Sequence, residues 1–196
     1  VNPATPDLGS GMTTLLFTHP DARRHVTPPG HPERVERIAA VEAALSVPGF
    51  AALDRRPAPL ADESEVLRCH DAAYLHQLRT ARPGEGWMQL DPDTFMAPGS
   101  WDAALRAVGA AEAAVDAVLG GEGTNAFVAM RPPGHHAERA KPMGFCIFGS
   151  VAIGAKRALD HHGLDRVAVL DFDVHHGNGT QDLLWNEKRA FFASTH

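Results

Sequence analysis

The run from Val167 to Val174, VAVLDFDV, constrains the fold of this chain more than any other segment. It is continuously apolar and β-branched, and only Asp171 and Asp173 interrupt it. A strand of this composition is typically covered on both faces, which is a property of parallel sheets. The sequence therefore predicts a buried parallel strand and, with it, an α/β fold.

Strand-like apolar runs and amphipathic helical segments alternate along the rest of the chain, which is typical of an open α/β layer fold. We find no internal repeat and no second domain. The Pro- and Gly-rich stretch 82–100 is interpreted as a long loop, as is 131–144. The remaining pattern predicts strands at 15–18, 126–130 and 190–194, and helices at 33–45, 66–78, 101–119, 148–162 and from 179 onward. Asp71 is a potential N-cap for the helix at 66–78.

Composition and charge argue against several classes of protein. The net charge of −6 gives no indication of a nucleic-acid or anionic-membrane partner. No apolar run approaches the roughly 20 residues that a membrane span requires. Two cysteines are too few for a disulfide framework and suit a reducing compartment, so we predict a cytoplasmic protein. We interpret residues 1–11 as a vector-derived leader and 12–196 as part of a single domain.

A cluster of metal-ligating side chains lies at the end of the run described first. If the strand continues to Val174, then Asp171, Asp173 and His175 project from one side at its carboxyl end, where open α/β sheets bind ligands. Such a group is costly unless a cation or hydrogen bonds offset it. Oxygen and imidazole ligands suit catalytic zinc, and Fe²⁺, Co²⁺ and Mn²⁺ are alternatives. A metal-free Asp–His ion-pair network is the other interpretation.

Two adjacent histidines, His135 and His136, follow the strand predicted at 126–130. The intervening Pro-Pro-Gly turn is rigid, and we expect it to deliver both imidazoles to the same edge of the sheet. Neighbouring imidazoles can share proton transfer when each has a partner that sets its tautomer. Asp171 and Asn178 are available as those partners.

The motifs RPPGHHAE, MGFC, LDFDVHHGNGTQ and FFASTH occur in this order, and together they resemble the histone deacetylase superfamily. The similarity is closest to the class II and bacterial deacetylase-like branch, which includes the acetylpolyamine amidohydrolases. It covers about residues 14–196 and includes GHPERVERI and LDPDTFMAPGS. The resemblance implies the N-terminal portion of an arginase/deacetylase-like three-layer fold with a mostly parallel central sheet.

The same resemblance implies roles for individual residues. Asp173 and His175 would bind zinc, and His136 would be the general base and acid, with His135 as its electrostatic companion. Asp171 would hydrogen-bond His135, while Asn178 would hydrogen-bond His136. Asn178 follows the class II pattern, because class I members have Asp there.

Further implied roles concern substrate and a second ion. Gly144 and Phe145 would line a narrow tunnel for the acyl-amine stem, and Asp93 would hold the substrate backbone at its rim. Arg37 would line the acetate-release channel. A structural potassium ion (K⁺) would be bound, partly through main-chain carbonyls, by Asp171, Asp173, His175 and Ser194.

The family's third zinc ligand, an Asp, and its carbonyl-polarising Tyr match no position in residues 1–196, since the only tyrosine is Tyr74 in another region. We therefore expect these residues alone to bind zinc weakly and to catalyse poorly. An arginase-type site with two manganese ions is an alternative that RPPGHHAE and GFC disfavour. A binding module that recognises acyl-lysine without hydrolysing it is another.

The sequence leaves the substrate open among acetyl-lysine protein, acetylpolyamine and another small acylated amine, and it leaves open whether the protein is a homo-oligomer. Arginine strongly outnumbers lysine, which favours a bacterial source.

Overall fold

The computed structural model describes residues 12–196, so the predicted leader at residues 1–11 lies outside the described part of the chain. The strands are β1 (Thr14–Thr18), β2 (Asp54–Pro57), β3 (Met88–Asp91), β4 (Thr94–Met96), β5 (Asn125–Ala129), β6 (Val167–Asp171) and β7 (Ala190–Ser194). The α-helices are α1 (Val35–Ala44), α2 (Glu63–Val66), α3 (Ala72–Thr80), α4 (Ser100–Leu119), α5 (Ser150–Asp160) and α6 (Asn178–Leu184). Two short 3₁₀ helices span Pro20–Arg23 and Pro48–Phe50.

Parallel pairing dominates the sheets, as the sequence predicts. Strands β2, β1 and β5 form a three-stranded sheet in that order, with β1 parallel to both neighbours. Strands β6 and β7 form a second parallel pair, in which Asp171 lies opposite Ser194. The carboxyl ends of β5 and β6 both lead into the histidine-bearing segments.

The alternating side chains of β1 define helical layers on its two faces. Leu15 and Phe17 pack in one apolar cluster with Ala110 and Ala117 of α4. Leu16, between them, packs in another cluster with Ile38 of α1. Since successive strand residues point to opposite faces, α4 and α1 cover opposite sides of the sheet. This is the helix–sheet–helix arrangement of a three-layer fold.

The largest apolar cluster holds α4 against α5 and the segment before it. Trp101 and Val108 of α4 pack with Phe148 and Ile153, all of them buried. Each such side chain contributes about 1.5–3 kcal/mol on burial. Tyr74 lies in the same cluster, and its hydroxyl donates to the Ile147 carbonyl at 2.7 Å. Tyr74 is therefore a core residue, remote from any carbonyl-polarising role.

A buried ion pair fixes the chain just after β5. Both carboxylate oxygens of Glu33 accept from the Arg131 guanidinium, with Nη2 at 2.5 Å from Oε2. A third Arg131 nitrogen donates to the Ala22 carbonyl at 2.8 Å. His25 approaches Glu33 at 3.4 Å, and its other ring nitrogen lies 2.7 Å from the Ser100 hydroxyl. This network ties the 19–34 segment to the start of the loop that carries His135.

Two predicted elements are wrong in detail. The helix predicted at 66–78 begins only at Ala72, directly after the extended Asp71 (φ −72°, ψ 145°) that the sequence offers as its N-cap, and residues 67–71 lie between α2 and α3. The stretch 82–100, predicted as a loop, contains the antiparallel β3–β4 hairpin. Its turn is stabilised by the Asp91 carboxylate, which accepts from the Asp93 backbone N–H at 3.0 Å. The prolines around the hairpin conceal this short strand pair from a periodicity argument.

The strand predicted from Val167 to Val174 is also shorter than expected, and residues 12–196 do not cover it on both faces. It ends at Asp171, and Leu170, Phe172 and Val174 are 68%, 88% and 78% exposed. Strand β6 pairs with β7 alone among the residues described. Within 12–196, no helix combines the length and the apolar character needed to cross a membrane.

Candidate active site

The loops that follow β5 and β6 meet in a half-buried histidine cluster. The ring centroids of His135 and His136 lie 4.0 Å apart, and that of His175 lies 5.9 Å from His136. His135 Nδ1 is 2.9 Å from Asp171 Oδ2, and His136 Nδ1 is 2.6 Å from Asn178 Oδ1. Each adjacent imidazole thus has a partner of its own, one a carboxylate and the other an amide.

Consecutive side-chain-to-backbone hydrogen bonds shape the segment after β6. Asp171 Oδ1 accepts from the Asp173 N–H at 3.1 Å, and Asp173 Oδ1 accepts from the His175 N–H at 2.8 Å. Such bonds to the residue two positions on are turn-forming and end a strand. The expectation that Asp171, Asp173 and His175 share one strand face is therefore wrong. Asp171 instead turns toward His135, while Asp173 and His175 form a separate pair.

The Asp173–His175 pair contains the two donors that the resemblance assigns to zinc. Asp173 Oδ1 and His175 Nδ1 are 3.0 Å apart, and both side chains are about half exposed or more. The hydrogen bond from the His175 backbone N–H is the main cause that lowers the pKa of Asp173, and the hydrogen bond from the His175 ring adds to it. Its carboxylate is thus favoured in the form that binds cations.

The donor chemistry of this pair fits zinc, but the donor count is incomplete. Catalytic zinc sites use three protein ligands and leave one position open. Among residues 12–196, no group of three or more His, Cys, Asp or Glu side chains is placed to hold a metal ion. Asp173 and His175 would hold the ion together with a ligand from outside these residues.

Glycines allow the close packing around His136. A Cβ on Gly144 would lie 2.3 Å from the His136 ring, and Gly144 also has a positive φ of 55°. A Cβ on Gly179 would lie 2.4 Å from the Ala137 carbonyl oxygen. The second contact lets the start of α6 approach the 136–137 backbone, which brings Asn178 into reach of His136.

The β3–β4 turn holds the segment that the resemblance assigns to the substrate tunnel. Asp93 Oδ1 accepts from the Gly144 N–H at 3.2 Å, and the Thr94 hydroxyl accepts from the Phe145 N–H at 3.0 Å. Phe145 has a φ of 70°, unusual for a bulky residue. Burial is the main cause that raises the pKa of Asp93, and the hydrogen bond and charge of the neighbouring Asp91 raise it further. Asp93 therefore holds the backbone of the 144–145 segment, and it lines the same cavity as His135 and His136.

A cavity of about 360 Å³ collects most of the predicted site residues. Asp171 and Asn178 do not line this cavity, because they lie behind the two histidines. Ser194 does not line it either, and its hydroxyl is 3.3 Å from His196 Nδ1. The main-chain carbonyl of Asp171, one of the groups predicted to bind potassium, accepts from the Thr195 N–H at 3.0 Å. The potassium site stays a prediction. The predicted residues that line the cavity are Arg37, Asp93, His135, His136, Gly144, Phe145, Asp173 and His175.

Sequence reasoning missed one polar residue of this site. Glu138 Oε1 accepts from Asn178 Nδ2 at 2.8 Å, which places it directly behind the His136 partner. Glu138 belongs to the RPPGHHAE motif, two positions after His136. That position was a usable signal, but its partner lies 40 residues further along the chain, where no local pattern connects the two.

The profile of the histone deacetylase domain matches residues 31–196, and the chain belongs to this family. It is 42% identical over 175 residues to the histone deacetylase-like amidohydrolase of Pseudomonas aeruginosa, covering 87% of this chain and 46% of that protein. It is 34% identical over 212 residues to histone deacetylase 14, chloroplastic, of Arabidopsis thaliana, covering 100% of this chain and 50% of that protein.

The solved HDA15 HD domain has the same fold, with a TM-score of 0.89 at 28% identity. The alignment covers 95% of this chain and 54% of that domain. The predicted deacetylase-like α/β fold and the predicted family are therefore confirmed. The chain spans about half the length of these relatives.

Proposed function

We propose that this protein is a zinc-dependent amidohydrolase that removes acetyl groups from acylated amines, such as acetyl-lysine or an acetylpolyamine. The observation that carries the proposal is the convergence, in one cavity, of two adjacent histidines with separate partners and of the Asp173–His175 pair. Family membership supports the reaction class.

The roles of the side chains follow from their contacts. When bound, zinc supplies Lewis acidity, which polarises an amide carbonyl and acidifies a water. His136 accepts the proton of the attacking water and later donates a proton to the leaving amine. Asn178 hydrogen-bonds Nδ1 of His136, so that Nε2 of the same ring is free for this transfer. His135, paired with Asp171, stabilises the charge that develops beside it. The products are acetate and a free amine.

The substrate enters as an extended stem along the tunnel that Gly144 and Phe145 line, with Asp93 accepting a hydrogen bond from it at the rim. Both residues of the tunnel wall are anchored by the β3–β4 turn, which supports a fixed tunnel width. The net charge of −6 is compatible with a cationic amine product and disfavours nucleic acid as a partner. We propose a cytoplasmic protein, with a potassium ion near Asp171 and Ser194 as a structural element.

The proposed reaction predicts metal-dependent release of acetate. The protein, expressed from its complete reading frame, is incubated with an acetyl-lysine peptide or an N-acetylated polyamine, and acetate and free amine are quantified. We expect equal amounts of the two products, loss of turnover after chelation, and recovery with added zinc. Turnover that persists after complete removal of metal would contradict zinc dependence. Binding of both substrates without any acetate release would instead favour an acyl-lysine binding module.

A further inference from the structure

We propose that Glu138 is a positioning residue that fixes the orientation of the Asn178 amide and, through it, the tautomer of His136. This inference rests on the proposed function only for its catalytic consequence. The arrangement itself is a hydrogen-bonded chain of three side chains, from Glu138 to Asn178 to His136, with distances of 2.8 and 2.6 Å.

The Glu138 carboxylate orients the Asn178 amide. A carboxylate only accepts hydrogen bonds, whereas an amide presents a donor on one side and an acceptor on the other. Facing Glu138, Asn178 must turn its NH₂ group toward the carboxylate. The Met143 sulfur, a weak acceptor, lies 3.4 Å from the same nitrogen and favours the same orientation. Both neighbours thus select one of the two rotations of the amide.

The oriented Asn178 amide in turn sets the tautomer of the His136 imidazole. With its NH₂ directed at Glu138, Asn178 presents its carbonyl oxygen to His136 Nδ1. That oxygen can only accept, so Nδ1 must carry the hydrogen, and in the neutral ring Nε2 is then the unprotonated nitrogen. A general base needs such a free lone pair. If the amide rotated, its NH₂ would face Nδ1 and the hydrogen would move to Nε2, where it blocks proton acceptance.

A carboxylate could have contacted His136 directly, as Asp171 does for His135 at 2.9 Å. Here the negative charge lies one residue further back, behind a neutral amide. His136 thereby receives a fixed tautomer without an adjacent anion, whereas His135 receives both. The two neighbouring imidazoles are thus distinguished by their partners, as different proton-transfer roles require.

The test reads the tautomer directly. Two-bond ¹H–¹⁵N spectra of the histidine rings are recorded at about pH 8 on the metal-free protein expressed from its complete reading frame. The His136 signal is assigned by its loss in His136→Gln. Glu138→Gln can either accept or donate, and Glu138→Lys can only donate. Glu36→Lys, at a side chain that is 75% exposed on α1, is the control for the charge change.

We expect His136 to carry its hydrogen on Nδ1 in the wild type and in Glu36→Lys, to show both tautomers in Glu138→Gln, and to shift to the Nε2–H form in Glu138→Lys. In the complete protein, kcat is expected to fall in the same order, by about ten-fold for Glu138→Lys, since about one hydrogen bond is lost, with KM little changed.

An Nε2–H tautomer in the wild type, or an unchanged Nδ1–H tautomer in both Glu138 variants, would overturn the proposal. If Glu138→Lys fails to fold, the fraction of each tautomer in Glu138→Gln alone decides the question. The spectra require neither substrate nor metal, so a protein that lacks deacetylase activity would still give a clear answer. Failure of the proposed reaction and failure of the Glu138 proposal are therefore distinguishable.

Discussion

His136→Ala is expected to lower kcat of deacetylation by about 10²–10⁴-fold, the usual contribution of a positioned general acid–base. The ring lies in the site cavity with its Nδ1 held by the neutral Asn178 amide, whereas the neighbouring His135 ring is held by the Asp171 carboxylate. His135→Ala should cost less, because its Asp171 partner suits it to charge stabilisation. Rates are measured with an acetyl-lysine substrate on the protein expressed from its complete reading frame.

The zinc content distinguishes proton transfer from metal binding in this experiment. Bound zinc should remain near the wild-type amount in His136→Ala, since the residue is proposed to move protons. His161→Ala, an exposed histidine at the end of α5, is the matched control and should retain full activity and zinc. Near-wild-type rates for both His135→Ala and His136→Ala would show that the acid–base roles are misassigned.

Arg131→Met is expected to lower the free energy of unfolding by about 3–5 kcal/mol, because it leaves the Glu33 carboxylate buried without its charge partner. Glu33 and Arg131 are 0% and 5% exposed. A typical domain has only about 5–15 kcal/mol of stability, so this variant lies near the limit of folding. Urea unfolding of the chain gives the measurement.

The exposed ion pair Arg23–Glu42 provides the matched control for this prediction. Its side chains are 54% and 25% exposed, so Arg23→Met should change stability by less than about 1 kcal/mol. The pair Glu33→Gln with Arg131→Met should be more stable than Arg131→Met alone, since the uncompensated charge is gone. Equal effects of Arg131→Met and Arg23→Met would contradict the account of the buried pair.

The same carboxylate links stability to pH. Burial alone would raise the pKa of Glu33, but hydrogen bonds from His25 and Arg131 and the Arg131 charge lower it from 4.5 to about 2. The unfolded chain therefore takes up this proton first as the pH falls. The associated stability, about 3 kcal/mol, is complete above pH 4.5 and is lost as the pH falls toward 2. Glu33→Gln should remove this part of the acid dependence.

Local sequence patterns predict where the histidine site lies, but they do not predict the contacts that support it. A rigid turn after β5 and a pair of carboxylates at the end of β6 are enough to indicate that two segments meet at one edge. The strand end at Asp171 was missed, because Phe172 and Val174 continue the apolar run although both are largely exposed. The side chains of Asp171 and Asp173 end the strand by bonding to the backbone, which hydropathy does not detect.

Long-range partners account for the other differences. Glu33 meets Arg131 across 98 residues, and Glu138 meets Asn178 across 40, so neither pairing has a local signature. The β3–β4 hairpin was missed for a different reason. Its strands have four and three residues, too few for period-two alternation to stand out among the surrounding prolines and glycines.

The most direct measurement of the central claim is the zinc bound per chain, determined by elemental analysis after purification without chelator. Asp173→Ala removes one of the two identified donors, whereas Asp165→Ala removes an exposed carboxylate outside the site. We expect Asp165→Ala of the complete protein to retain zinc in a one-to-one ratio and Asp173→Ala to lose most of it. Equal zinc in Asp173→Ala and the wild type would contradict the assignment of this site as a catalytic zinc centre.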